Sequence, residues 1–428
     1  MKNNKLIKDL PEVELFNKFI SDKPIALAVS GGPDSTAMMQ IAAFSKKIEK
    51  NKVTVLVVDH GLRKESKDEA RLVSKNAKLL GFNSKILRWE GTKPKTRIQE
   101  IARKTRYRLM ITWCKKEGIE RLFLAHHLDD QVETFLMRLG KGSGVDGLAA
   151  MNFLTEISSL QLVRPFLEIP KNRFLDILDH SNLKWVSDPS NSNLNYKRSR
   201  IREILPILSK EGINSKQIGL VIKRMQSAKN ALNSQTKKLL EKYLSNTEGV
   251  AYFLDKNLFQ EIKDREILLR VLEKIIMNIS GSIYPPRRNK LENILIWLLK
   301  ENNALARTLN GVVVRKRKGE FIFYREPDDC YKSAVTMPLT TRYNCWDDRF
   351  FIKANKSNNF QIRALGNAGT KVLKEKKILK RQGFQNVPLS AWKTAPGIWS
   401  KKRLISVPSL GYCKQKDIKI YIKSNNII

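Results

Sequence analysis

Residues 24–36, PIALAVSGGPDST, decide the fold expected for the N-terminal part of this chain. The run up to Ser30 is apolar and predicts a buried strand, and the residues after Pro33 continue at helical spacing. Between them, Gly31 and Gly32 allow a tight turn in which backbone N–H groups approach a ligand. Since the N-terminus of the following helix carries a partial positive charge, the turn is suited to hold phosphate.

The same turn carries the polar groups that a phosphate site needs. The carboxylate of Asp34 is a candidate ligand for Mg²⁺ held against a pyrophosphate. No lysine follows the glycines, which excludes the P-loop motif of other nucleotide-binding proteins. A plain strand-to-helix turn with a capping side chain is the alternative. The candidate ligand-binding residues here are Ser30, Gly31, Gly32, Pro33, Asp34 and Ser35.

An apolar run followed by an amphipathic stretch occurs four times in the first 140 residues. The apolar runs cover residues 24–30, 53–58, 85–89 and 121–125. Buried strands that alternate with helices predict a doubly wound, Rossmann-like parallel sheet. The fold class predicted for the chain is α/β, with this sheet followed by a helical domain and a small α+β domain at the C-terminus.

The second apolar run ends in VDHGLR, residues 58–63. Because ligands bind at the carboxyl ends of strands in such sheets, Asp59 and His60 are expected to face the same crevice as the glycine turn. A local capping role is an equal alternative for Asp59.

The fourth apolar run leads into AHHLDDQVET, residues 125–134. The carboxylates of Asp130 and Glu133 share one helix face, which suits Mg²⁺ or an ammonium group. The adjacent histidines, His126 and His127, lack the further His or Cys that a zinc site needs, and a structural role for both stays open.

Three basic stretches are candidates for anion contacts. Arg103 and Arg106 are spaced to share a helix face toward phosphate or carboxylate, with a solvated face as the alternative. YKRSRIR, residues 196–202, and a basic helix predicted over residues 371–381, KVLKEKKILKR, suit contacts to a nucleic-acid backbone. Their candidate contact residues are Arg198, Arg200 and Arg202, and Lys376, Lys377, Lys380 and Arg381.

The whole chain is strongly basic: 80 Lys and Arg against 42 Asp and Glu give a formal net charge of +38. This excess favours nucleic acid as partner, with biased base composition of the genome as the alternative explanation. Four distant cysteines without a CxxC pair argue against zinc, an iron–sulfur cluster or a disulfide framework. Since neither a membrane span nor a secretion signal is recognisable, a cytoplasmic protein without membrane contact is expected.

Taken together, these motifs resemble the tRNA(Ile)-lysidine synthetase family, a branch of the N-type PP-loop ATP pyrophosphatases. Trp392 with Lys393, and Lys197 to Arg200, depart from the family pattern at positions linked to tRNA contact. The matching strings lie in the family's order between residues 24 and 203: SGGPDST, VDHGLR, ARKTRYRLM, AHHLDDQVETFLMRL, KGSGVDGLAAM, RPFLEIPK, WVSDPSN and YKRSRIR.

The resemblance implies a two-step ligation that uses ATP and Mg²⁺, with free L-lysine and tRNA(Ile) bearing a CAU anticodon as substrates. The C2 oxygen of the wobble cytidine would first be adenylated with release of diphosphate. The lysine amine would then attack C2 and displace AMP. The product, lysidine, pairs with A, which changes the tRNA from methionine to isoleucine identity.

The resemblance also implies roles for the candidate residues. The glycine turn would hold the phosphates, and residues 58–61 would border the adenosine. Arg103 and Arg106 would balance charge on the leaving phosphates, and Asp130 and Glu133 would steer the lysine ammonium or a metal. The catalytic candidates are Asp34, Arg103, Arg106, Asp130 and Glu133.

The domain organisation predicted on this basis has three parts. Residues 1–205 form a PP-loop ATP-binding catalytic domain, residues 206–334 a mainly helical domain that contacts tRNA, and residues 335–428 a small C-terminal tRNA-binding domain. The oligomeric state stays open, with a homodimer as one alternative.

Three other functions are weaker alternatives. A thiolating PP-loop enzyme would need a catalytic or cluster-binding cysteine, and residues 1–205 contain only Cys114. An ammonia-using small-molecule ligase would not need so basic a chain. A non-catalytic RNA-binding protein would not need Asp130 and Glu133 beside a nucleotide loop.

Overall fold

The computed structural model describes the chain in two compact units, Met1–Lys229 and Asn230–Ile428. The predicted three domains stay a prediction. No described helix is long and apolar enough to cross a membrane. Residues 187–191 of the WVSDPSN string lie outside the described residues. The structure describes residues 10–424 except 64, 92, 95, 97, 158–159, 187–194, 283, 301–304, 318, 357–358, 382 and 416.

The first unit alternates helices and strands, with a short 3₁₀ turn at Lys50–Lys52. The last helix, α9, continues into the second unit. The strands are β1 (Ile25–Ala28), β2 (Val53–Asp59), β3 (Asn83–Arg88), β4 (Arg121–Phe123), β5 (Leu154–Ile157) and β6 (Leu160–Val163). The helices are α1 (Pro11–Asn17), α2 (Pro33–Phe44), α3 (Ser66–Leu79), α4 (Ile98–Lys116), α5 (Leu128–Leu139), α6 (Val145–Leu148), α7 (Lys171–Asp179), α8 (Lys197–Lys210) and α9 (Ser215–Tyr243).

These strands form one six-stranded sheet in the order β3-β2-β1-β4-β6-β5. All neighbours are parallel except β5 and β6, which pair antiparallel at one edge. The predicted doubly wound parallel sheet is therefore confirmed. The chain builds outward from β1 to β3 and then returns to β4 on the other side of β1. This reversal opens a crevice at the carboxyl ends of β1 and β4, where ligands bind in open α/β sheets.

Both faces of the sheet are covered, as the apolar strand pattern predicts. On β1, Ile25 and Leu27 pack into a core that α2, α3 and α7 complete, while Ala26 packs on the opposite side against α4. Since successive strand residues point to opposite faces, a continuous apolar run is what such a doubly covered strand requires.

The second unit contains three antiparallel sheets and shorter helices. Two 3₁₀ turns lie at Ile378–Lys380 and Pro408–Leu410. The helices are α10 (Asn257–Glu261), α11 (Arg265–Ser280), α12 (Arg288–Leu299), α13 (Pro327–Ser333), α14 (Gly366–Glu375) and α15 (Leu389–Trp392). The strands are β7 (Leu244–Thr247), β8 (Ala251–Asp255), β9 (Ala306–Leu309), β10 (Val312–Arg317), β11 (Glu320–Arg325), β12 (Met337–Pro338), β13 (Asn344–Trp346), β14 (Phe350–Ala354), β15 (Gln361–Ala364), β16 (Pro396–Ser400), β17 (Arg403–Val407), β18 (Tyr412–Cys413) and β19 (Ile420–Ser424).

The sheets have the orders β7-β8-β11-β10-β9, β12-β15-β16-β17-β18 and β13-β14-β19. The strands β10 and β11 follow one another in the chain and pair antiparallel as a hairpin. Residues 251–255 lie in a stretch whose pattern indicates helix, and they form β8. Their partner β11 determines this outcome, because a short apolar run fits strand or helix equally well until it is paired.

Two local expectations about the C-terminal part change in the structure. The basic helix predicted over residues 371–381 ends at Glu375, because Lys377 adopts a left-handed backbone with φ of 57° before a 3₁₀ turn. Trp392 is buried and packs edge-on against Phe384 at 5.6 Å between ring centroids, so it is a core residue.

Candidate active site

The glycine turn connects β1 to α2 at the centre of the crevice. Gly31 has φ of +90°, and a Cβ at that position would come within 3.3 Å of Val73 Cγ2. Gly32 caps α2 and Pro33 is its first residue, which leaves the helix N-terminus open toward the crevice. Ser35 accepts a hydrogen bond from the Ser30 N–H at 3.1 Å, so the hydroxyl holds the turn closed.

A buried histidine links this turn to the loop after β4. The Nε2 atom of His127 lies 3.6 Å from Asp34 Oδ2 and 3.5 Å from Asp130 Oδ2, and its Nδ1 atom lies 3.6 Å from Asp129 Oδ2. The backbone N–H of His127 also donates to Asp130 Oδ2 at 3.2 Å, and this hydrogen bond caps α5. Asp129 in turn accepts the N–H of Lys171 at 2.8 Å, so the cluster also fixes the start of α7.

The two adjacent histidines have opposite charge preferences. Burial alone lowers the pKa of His127, but Asp34, Asp130 and Asp129 outweigh burial and raise it above the ordinary 6.5. Burial, with a smaller contribution from nearby arginines, lowers the pKa of His126 to about 3 despite the attraction of Asp130. The carboxylates therefore favour the charged form of His127, while burial keeps His126 neutral.

Glu133 lies one turn further along α5, and its side chain is 1% exposed. Its Oε1 atom accepts from Arg202 Nε at 2.5 Å, and its Oε2 atom lies 3.7 Å from Arg198 Nε. Burial raises the pKa of Glu133, although Arg202 and Arg198 oppose that rise. Two of the three arginines predicted in residues 196–202 to contact nucleic acid are thus paired with a predicted catalytic carboxylate, while Arg200 is exposed and donates to the Asn195 carbonyl.

At the end of β2, Asp59 and His60 take different positions. Asp59 Oδ1 accepts from the Gly61 N–H at 3.1 Å and from Ser66 Oγ at 2.5 Å, which is the local capping role left open by the sequence. The Ser66 hydroxyl is the main reason that the pKa of Asp59 is lowered. His60 lines the crevice, and burial lowers its pKa.

Helix α4 contributes a basic and aromatic wall. Arg106, Tyr107 and Met110 line the crevice. Arg103 is exposed, and its guanidinium lies 5.2 Å from the ring centroid of Tyr107. The two predicted arginines therefore differ in position. Arg106 lines the crevice, whereas the guanidinium of Arg103 stacks on the ring of Tyr107.

The crevice is a cavity of about 490 Å³. It brings together the glycine turn, the ends of β2 and β4, and the wall of α4. The predicted site residues that line it are Ser30, Gly32, Pro33, Asp34, Ser35, His60, Arg106 and Asp130.

Sequence reasoning missed several residues of this cavity. Arg63, Lys171 and the neutral His126 also line it. Arg63 donates to Glu69 Oε1 at 3.1 Å across the start of α3. Lys171 is the last residue of the RPFLEIPK string. Its place in that string was the sequence signal that could have identified it as a site residue. The charge of His127 could not be inferred, because it depends on Asp34, which lies 93 positions earlier in the chain.

The chain is similar to several known proteins. Residues 5–208 match the PP-loop domain family. A tRNA(Ile)-lysidine synthase from Wolbachia sp. subsp. Brugia malayi is 36% identical over 77% of this chain and 77% of its own. One from Ruegeria pomeroyi is 34% identical over 90% and 88%. Among solved structures, a U34-tRNA thiolase from Methanococcus maripaludis has a TM-score of 0.44 and 21% identity, over 52% of this chain and 79% of that one.

The charge of His127 depends on its carboxylate neighbours, and this can be measured. Asp130→Asn removes one of them, so we expect the pKa of His127 to fall as burial gains weight. Histidine NMR titration of the whole chain gives the value, since only four histidines are present. Asp146→Asn, which removes a carboxylate paired with Lys229, is the matched control. An unchanged His127 titration in Asp130→Asn would contradict the cluster.

Proposed function

The chain belongs to the tRNA(Ile)-lysidine synthase family and is a PP-loop ligase that modifies tRNA, and from this premise we propose its reaction. Free L-lysine is joined to C2 of the wobble cytidine in tRNA(Ile) with a CAU anticodon. The C2 oxygen is first adenylated with release of diphosphate. The lysine amine then attacks C2, and AMP leaves with the former C2 oxygen. The observation that carries the proposal is the 490 Å³ cavity, where the glycine turn meets Asp130 and Arg106.

The residues of the turn fit ATP with Mg²⁺. Asp34 Oδ1 is buried and has no hydrogen-bond partner among the described residues, as expected of a carboxylate oxygen that awaits a cation. No group of three or more His, Cys, Asp or Glu in the described ranges could enclose a metal alone. This agrees with Mg²⁺, which takes one or two carboxylates and completes its shell with phosphate and water. Bound there, Mg²⁺ would neutralise phosphate charge.

The wall around the turn supports diphosphate as a leaving group. The open N-terminus of α2 and the cations of Arg63, Arg106 and Lys171 surround the same space. Fixed positive groups in a partly buried cavity stabilise the charge that develops as the bond to diphosphate breaks. Arg103 adds a further cation on α4, one helical turn from Arg106. It lies outside the residues that line the cavity.

The loop after β4 supports the lysine step. Burial alone raises the pKa of Asp130, but the attraction of His127 and the hydrogen bond from its backbone N–H outweigh burial and lower the pKa below the ordinary value, so a carboxylate charge faces the cavity. That charge attracts the lysine ammonium. His126 Nδ1 is buried without a hydrogen-bond partner in the described structure, and it can accept an N–H of the amine or of the base.

Lysine incorporation tests the reaction. Purified protein is incubated with ATP, Mg²⁺ and labelled lysine, with either isoleucine CAU tRNA or methionine CAU tRNA. We expect ATP-dependent label in the isoleucine tRNA alone, measured after acid precipitation. Absence of label under conditions where the tRNA binds would reject the proposal.

Asp34→Asn is the matched negative control for this assay. It removes the charge of the unpartnered oxygen but keeps the shape of the turn. Diphosphate release should fall at least a hundredfold, about 2.7 kcal/mol of barrier, while tRNA affinity stays the same.

The pairing of Glu133 with Arg202 supports a further division of roles, in which the pair sets the charge of the lysine-binding region. In Arg202→Gln, Glu133 stays buried and loses its nearest cation, so its pKa rises further. We expect a KM for lysine raised about tenfold near neutral pH and restored toward the wild-type value as pH rises. Arg200→Gln removes an exposed charge from the same helix and should leave this pH profile unchanged.

We also assign the exposed cations Lys376, Lys377, Lys380 and Arg381 to contacts with the tRNA backbone. Reversing the four charges should weaken tRNA binding and reduce the slope of log affinity against log salt by about 0.9 for each phosphate that is no longer neutralised. The control reverses four exposed lysines of the first unit and changes net charge equally. If both sets reduce the slope alike, the effect is the overall field and the assignment fails. The control lysines are Lys46, Lys47, Lys75 and Lys78.

A further inference from the structure

The sheet β13-β14-β19 has one buried face and one outward face. Phe350 and Ile352 point inward and are fully buried. Because strand residues alternate, Phe351 and Lys353 point outward, and their partners on β19 are Lys423 and Tyr421. The outward face therefore combines aromatic and cationic side chains in neighbouring positions.

Two exposed tyrosines share cations on this face. Lys353 Nζ lies 4.7 Å from the ring centroid of Tyr343, just before β13, and 5.3 Å from that of Tyr421. Lys423 Nζ lies 5.5 Å from the Tyr343 ring. Tyr343 is 41% exposed and Tyr421 is 45% exposed, so part of each ring remains accessible although ammonium groups lie over the rings.

The chemistry of these side chains selects the occupant. Aromatic rings bind nucleic-acid bases by stacking, which needs bases that are not enclosed in a duplex. Lysines beside the rings match the phosphates that link such bases. None of the outward residues described on these three strands is acidic. Edge lysines can also serve to keep sheets from pairing, but that purpose does not require exposed tyrosines next to them.

We propose that this face, the Tyr343–Tyr421 platform, binds unpaired nucleotides of the tRNA substrate. Bases stack on Tyr343 and Tyr421, and the backbone between them meets Lys353 and Lys423. The identity of the RNA rests on the proposed function. A second copy of the chain is a poorer occupant, because a twofold contact through this face would set lysines against lysines in a chain of net charge +38.

The test uses the full chain and two probes: tRNA(Ile), and a labelled single-stranded RNA of six nucleotides. Tyr343→Ala with Tyr421→Ala should weaken binding of the single strand about tenfold to hundredfold, since each stacked base contributes measurably to affinity. Tyr343→Phe with Tyr421→Phe keeps the rings and should stay within about twofold of wild type. Tyr284→Ala with Tyr331→Ala removes two exposed tyrosines elsewhere in the second unit and is the matched control.

The lysines give an independent readout. Lys353→Gln with Lys423→Gln should reduce the salt slope for the single strand by about 0.7 for each phosphate that these lysines neutralise. A short RNA duplex should bind all the tyrosine variants equally, because its bases are not available for stacking. Equal melting temperatures would show that the variants are folded.

The outcomes separate the platform from the reaction. If the alanine pair raises the KM for tRNA but keeps the rate of lysine incorporation at saturating tRNA, both proposals stand. If wild type incorporates no lysine and the alanine pair still weakens single-strand binding, the platform stands and the reaction fails. Wild-type RNA affinity in the alanine pair overturns the platform. The platform is also overturned if sedimentation shows that the alanine pair loses a dimer while its RNA affinity is unchanged.

Discussion

The contacts between His127 and three carboxylates are the interaction on which the rest of the site depends. Asp34, Asp129 and Asp130 converge on His127 from the first turns of α2 and α5, and three carboxylates at such distances would repel one another without a cation between them. The pKa of His127 is raised in the folded state. The stability contributed by its contacts with the carboxylates is therefore fully present below pH 6.5 and is lost as pH rises through the raised value. The cluster joins the turn after β1 to the loop after β4.

The contacts of His127 explain how several charged side chains can lie close together without neutralising one another. Asp34 keeps one oxygen buried and unpartnered, although the other faces His127. Neighbouring His126 stays neutral because burial and arginines oppose its protonation. Asp34, the neutral acceptor His126 and the carboxylate of Asp130 all line the crevice, and His127 lies against both carboxylates. This arrangement suits phosphate near the turn and an ammonium group near Asp130.

The sequence could predict features that depend on neighbours along the chain. The strand, turn and helix from residue 24 to 44 have local causes, and so does the order of strands and helices in the first unit. Contacts between distant residues were not predictable: Glu133 pairs with Arg202, 69 positions away, and β8 becomes a strand only beside β11. Asp59 shows a third limit of sequence-based prediction. A carboxylate at this place in the chain suits a local hydrogen bond and ligand binding equally well, and the hydrogen bond from Ser66 becomes visible only in the folded chain.

A positive charge of +38 explains attraction to RNA but not selection among RNAs. Two tRNAs with the same CAU anticodon present the same reacting base, so a ligase that accepts one of them must read features outside the anticodon. Arg198 and Arg202 are paired with Glu133, which offsets part of their charge within the protein. Selection then falls to contacts whose energy depends on RNA structure. Stacking on exposed rings is such a contact, because only unpaired bases can make it.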